Sequence, residues 1–124
     1  MTAETPPVDR RFPKSERLLR RLDFVRVQTH GAKYGTGRLT VVWLPSTAGT
    51  TRIGITVSRK VGCAPERARV KRWLREIYRQ HKDAWPDGVD FVVIARPGAA
   101  AAGYWKLRDD LLRWAARVRP RTAR

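Results

Sequence analysis

The stretch VDFVVIARP, Val89 to Pro97, places the tightest constraint on the fold. A short continuous apolar run bounded by turn residues is the pattern of a central strand buried on both faces. Such a strand needs neighbours at its edges and helices over it, and the rest of the chain supplies both.

GRLTVVWLP (Gly37 to Pro45) carries β-branched and aromatic residues between Gly and Pro and predicts a strand. RIGITVS (Arg52 to Ser58) alternates Ile53, Ile55 and Val57 with Gly54, Thr56 and Ser58, a half-buried strand whose second face is small, polar and open to water or a ligand. From Ser15 to His30, Leu18, Leu22 and Val25 recur at helical spacing, with Ser15 or Asp23 as the cap and Gly31 as the stop. RKVGCAP leads into a helix from about Glu66 to Lys82, with Pro65 in its first turn. The last helix runs from Tyr104 to about Val118 on a stripe of Leu107, Leu111, Trp114 and Val118, and Pro120 closes it. Trp105 and Trp114 are both expected in the core.

The order is helix, two or three strands, helix, strand, helix. This is an α+β fold in one domain, a small mixed sheet packed by helices. At 124 residues the chain has room for one modest core. Residues 1–13, with Pro6, Pro7 and Pro13, are expected to form a flexible arm, 14–119 the domain, and 120–124 a basic tail.

Charge narrows the partner. With 27 Lys+Arg against 11 Asp+Glu the formal net charge is +16, which calls for a polyanion. The apolar runs are strand-sized and the N-terminus lacks a signal-peptide core, so no membrane partner and a cytoplasmic location are expected. The single cysteine, Cys63, and two histidines, His30 and His81, offer no zinc-ligand spacing. No nucleophile motif or Gly-rich phosphate loop nominates a catalytic site.

The cationic residues concentrate in ERARVKRWLREIYRQHK, Glu66 to Lys82, which holds seven basic and two acidic residues. At about 100° per residue, Val70, Trp73, Leu74, Ile77, Tyr78 and His81 share one side, while Lys71, Arg72, Arg75, Arg79 and Lys82 share an adjoining arc. A solvated helix face intersperses acids with its bases; here Glu76 is nearly alone, and the cations repel one another until an anion answers them. Arg67 and Arg69 in the first turn would reinforce the anion-binding tendency of a helix N-terminus. Spacing alone does not separate RNA from DNA in a major groove. Phe24, Tyr34 and Trp43 are the aromatic candidates for stacking on single-stranded bases.

SRKVGCAPERARVKRWLRE, preceded by RIGITV and followed by DFVVIARPGA, resembles the protein subunit of bacterial ribonuclease P, and the resemblance extends from about Phe12 to Val118 through ERLLRRLDFVRVQTHGAKY. It implies a left-handed βαβ crossover within the α+β fold. It also implies an RNA-binding subunit whose catalyst is a partner RNA, cleaving the 5′ leader from precursor tRNA with Mg²⁺ bound through that RNA. Carried over by position, Ser58, Arg59, Lys60, Arg67, Arg69, Lys71, Arg72, Arg75 and Arg79 correspond to the face that meets the catalytic RNA. Phe24 and Trp43 correspond to a cleft for the single-stranded leader. The sequence departs from the family pattern at Ala68, where Asn is usual; a methyl group neither donates nor accepts a hydrogen bond, so a role of that position in organising a metal is not carried over to this chain. A structural ribosome-associated RNA-binding protein is the alternative that fits the same size and charge, with a DNA-binding module behind it.

Overall fold

The structure is a computed structural model, described over residues 12–122, with side chains described to residue 118. The expected arm, apart from Phe12 and Pro13, and the end of the basic tail lie outside the described residues.

Four strands form one sheet: β1 (Ala32–Gly35), β2 (Leu39–Pro45), β3 (Arg52–Val57) and β4 (Val89–Ala95). Their order is β1-β2-β4-β3. β2 runs antiparallel to both β1 and β4, whereas β3 is parallel to β4. β4 is thus the central strand that its apolar run predicts, buried at every position except Ile94. The parallel pair β3 and β4 is joined through α2 (Ala64–Gln80), giving a βαβ unit.

Strand parity divides the sheet into two faces. Leu39 and Val41 of β2, Ile53 of β3 and Phe91 and Val93 of β4 face a core shared with α2 and with α4 (Tyr104–Thr122). Val42 and Val92 face the other way, against Leu18 and Val27, under α1 (Arg21–His30). A short helix, α3 (Ala99–Ala102), precedes α4.

α2 follows its pattern. Val70, Leu74, Ile77 and Tyr78 are its buried residues, an i, i+4, i+7, i+8 stripe. At its start the Cys63 amide donates to Glu66 Oε1 at 3.0 Å, and this bond, with charge from Arg69 adding to it, holds the Glu66 carboxyl below the ordinary range. At its end the Trp85 indole N–H takes the Tyr78 carbonyl at 3.0 Å. Tyr78 also ties in the N-terminal segment: its hydroxyl donates to Glu16 at 2.8 Å, and burial followed by that bond pushes the phenol well above its usual pKa.

Five expectations are corrected. The first helix begins at Arg21 rather than Ser15; a 3-10 turn, Lys14–Glu16, and an extended bridge from Arg17 to Ile53 occupy the preceding residues. Neither Ser15 nor Asp23 caps it, since the N-cap is Arg20, without a side-chain bond. Leu18 is buried but lies outside the helix, while Leu22 and Val25 are exposed. Leu18 and Arg17 are drawn instead to the free edge of β3, where the Leu18 amide finds the Ile53 carbonyl at 2.9 Å. Gly31 does stop the helix, at φ −78°, for a reason of space: an added Cβ would sit 2.5 Å from the Val27 carbonyl oxygen and 2.8 Å from that of Trp43. Trp114 is fully buried, but Trp105 is 65% exposed and not in the core. Finally, α4 continues to Thr122, past the position of Pro120.

Candidate nucleic-acid interface

The cationic arc of α2 emerges at the free edge of the sheet, beside β3. Arg72 and Arg75 are exposed and Lys71 half-exposed, and among the described residues none of the three has a hydrogen bond or ion pair. Such unpaired cations carry only hydration, which phosphate can replace. The remaining predicted cations of α2 are engaged locally. Arg67 donates to the Gly62 carbonyl at 3.0 Å, clasping the loop before the helix; Arg69 lies over Trp73 at 5.4 Å from the ring centroid; Arg79 pairs with Glu76 at 2.6 Å. Ser58, Arg59 and Lys60 are exposed in the turn that leads in from β3, and the Ser58 hydroxyl accepts from the Lys60 amide at 3.3 Å. Loop and helix therefore present one continuous basic surface. Ala68 is exposed on α2 between Arg67 and Arg69, and Cys63 is exposed at the N-cap.

A groove of about 120 Å³ runs along β3 where this surface meets the other face of the sheet. Phe24, Leu19 and Arg17 line it on the α1 side, and Lys71 and Arg75 on the α2 side. Phe24 is set by Gly54: a Cβ there would lie 2.7 Å from two carbons of the Phe24 ring, so the ring rests flush on bare backbone. The small second face of β3 is therefore partly covered, Gly54 being buried while Thr56 is half-buried and Ser58 exposed.

Phe24 and Trp43 are not brought together. Trp43 has the parity of Leu39 and Val41, pairs with Phe91 across the sheet and meets Trp114 edge-on at 5.5 Å, on the face opposite Phe24. Tyr34 shares that face, packed against the main core with Arg117 over its ring at 5.4 Å. Both faces of GRLTVVWLP are apolar, so alternation alone gives no sign of which one α1 covers.

The group that seats α1 belongs to no motif in the sequence. Asp90 lies fully buried in β4 and accepts from Arg52 of β3 at 2.9 and 2.7 Å and from Arg26 of α1. Burial alone would raise its pKa, but bonds from Arg52, Ser46 and Arg26 and the Arg52 charge outweigh it, holding the carboxyl below the ordinary value. A lone acid inside an otherwise apolar strand was the available signal, because a buried carboxylate requires a cation. On the opposite side of the domain, Asp110 of α4 is likewise buried and holds Arg38 and Thr36 of the β1–β2 turn at 3.1 and 2.9 Å.

Among the described residues no group of three or more His, Cys, Asp or Glu is placed to hold a metal, and both buried carboxylates are taken by arginines. No described helix is long and apolar enough to cross a membrane.

A family model described as Ribonuclease P matches residues 12–119. The ribonuclease P protein component of Desulforapulum autotrophicum is 42% identical over 100 residues, covering 81% of this chain and 86% of that protein. Among solved structures, the ribonuclease P protein of Thermotoga maritima superposes with a TM-score of 0.74 at 34% identity, covering 83% of this chain and 97% of that one. The Staphylococcus aureus protein gives 0.71 at 29% identity, covering 79% and 90%. Fold, basic helix and a similarity that spans residues 12–119 agree, and the chain belongs to the ribonuclease P protein family.

Proposed function

We propose that the chain is the RNA-binding subunit of ribonuclease P, holding the catalytic RNA on the basic surface of α2 and the 5′ leader of precursor tRNA in the groove beside Phe24. The observation that carries this division is the groove itself, with an aromatic ring on one wall and the unpaired cations Lys71 and Arg75 on the other. An unpaired strand presents base faces and phosphates together, and such a groove answers both. Arg72 and the exposed Arg59 and Lys60 continue the cationic surface away from the groove, toward a larger polyanion. The chemistry of cleavage belongs to the RNA and its Mg²⁺; the chain contributes binding, orientation and charge neutralisation. Neutralising phosphates near the substrate lowers the Mg²⁺ concentration needed to hold the complex together.

The leader tests this assignment. In enzyme reconstituted with its RNA, the protein is expected to strengthen binding of a leader-bearing precursor and to leave mature-length tRNA unaffected. Gly54→Ala, which must move Phe24 or the strand, is expected to remove most of that preference, lowering leader-dependent affinity by about 5- to 150-fold, the range for loss of one stacked base. Equal strengthening of both RNAs would place the leader elsewhere and favour a purely structural RNA-binding protein.

A further inference from the structure

Trp105 has no place in the core or in either surface described above. It projects from the first turn of α4 and is 65% exposed, the most exposed tryptophan among the described residues. A large apolar side chain so exposed is normally free to change rotamer, but this one is held. Tyr104 packs edge-on against it, with ring centroids 4.9 Å apart and planes at 89°. The Arg108 guanidinium sits 4.9 Å from its centroid and is itself fixed by Asp109 at 3.1 Å. With Arg108 over one side of the indole, the exposed area belongs mainly to the other. The result is a braced aromatic plane presented to solvent.

Its location ties it to α2. α4 packs against α2, and Tyr104 is half-buried on the same core with its phenol near Arg79, on the cationic side of α2. Trp105 thus stands one ring beyond the border of the basic surface, away from the Phe24 groove on the opposite face of the sheet. A flat aromatic with a cation against it, beside a strip of positive charge, matches an unpaired nucleobase whose phosphates lie on that strip. A protein partner or a second copy would need a wider apolar surround, and the neighbours here, Lys106, Arg108 and Asp109, are charged.

We infer that Trp105 is a stacking platform for an unpaired base of the catalytic RNA, extending the α2 interface onto the start of α4. This rests on the function proposed above, and the test separates the two. The full chain and its RNA subunit are titrated over a salt series, with Trp105→Ala, Trp105→Phe and Arg72→Ala/Arg75→Ala as variants. Trp105→Ala is expected to bind about 5- to 150-fold more weakly at every salt concentration, on a log–log line parallel to wild type, because a stacked base releases no counterions. Trp105→Phe, which keeps an aromatic face, is expected within about threefold of wild type. The most readily acrylamide-quenched part of the native fluorescence is expected to become protected by RNA, and to be lost in Trp105→Phe, which keeps the half-buried Trp43 and Trp73 and the buried Trp85 and Trp114. Wild-type binding with Trp105→Ala unchanged and no protection of that fluorescence would overturn the inference while leaving the function standing. A change in oligomeric state at unaltered RNA affinity would also overturn it, in favour of a second copy. Failure of the wild-type chain to bind the RNA would overturn both.

Discussion

Asp90→Ala is expected to lower folding stability by about 3 kcal/mol, read as a shift in the urea midpoint at constant slope. That figure is the lower end of the cost of stripping one partner from a buried ion pair, chosen because Arg26 retains some contact with water. Arg52 is only 15% exposed in its side chain and would lose its main partner, keeping Asp23 at 3.8 Å. α1 would lose the anchor that holds it to the sheet, so Phe24 should drift and leader binding should weaken in the same variant. Asp90→Asn preserves shape without charge and should fall between. The pH dependence follows from the depressed pKa. A carboxyl that ionises more readily folded than unfolded adds stability above its unfolded pKa of about 3.9, and that contribution disappears as pH falls through the folded value. Wild type should therefore lose stability toward acid more steeply than Asp90→Ala, and parallel acid limbs would contradict the assignment.

The second large effect is on RNA affinity. Arg72→Ala/Arg75→Ala is expected to reduce the slope of log affinity against log salt by about 1.4 to 1.8, for two lost phosphate contacts. If the lines converge near 1 M salt, binding near 0.1 M falls by about 25- to 60-fold. These two arginines are the informative pair because they are exposed and make no bond within the described residues, so folding stability should hold. Arg67 is a poorer probe: it clasps the Gly62 carbonyl, and its loss would disturb the loop as well as the charge. An unchanged slope would move the phosphates away from this arc of α2.

What could be read from the sequence depended on how strongly local pattern and tertiary outcome agree. α2 was legible because its apolar stripe and its cations occupy different arcs, and Val70, Leu74, Ile77 and Tyr78 bury as projected. β4 was legible because only a central strand between two helical layers tolerates so continuous an apolar run. The start of α1 was not, since its flanking Leu18 belongs to an extended segment bridging β3, so leucines at helical spacing proved not to share a helix face. Trp105 was misplaced by its size: it stands two residues before Leu107, about 200° around the helix from the stripe, and its position in the pattern already pointed outward. Trp43 failed for a different reason, because a strand apolar on both sides does not reveal which side α1 will cover. The basic half of the site was therefore visible in one dimension. The aromatic half needed the sheet order, which sets Phe24 over Gly54 and sends Trp43 to the other face.

Ala68 gains meaning in this setting. It is exposed between Arg67 and Arg69, where a polar side chain could reach a ligand on the α2 surface, and a methyl group supplies only contact. With RNA affinity spread over Lys71, Arg72, Arg75 and the Ser58–Lys60 turn, as proposed, overall binding is expected not to depend on it.

The most direct test of the account is the rate of leader removal from precursor tRNA by the cognate RNA subunit across a Mg²⁺ series, with and without this chain. The account predicts that adding the protein shifts the midpoint to lower Mg²⁺ and restores cleavage where the RNA alone is inactive. Superimposable Mg²⁺ curves with and without the protein would contradict it.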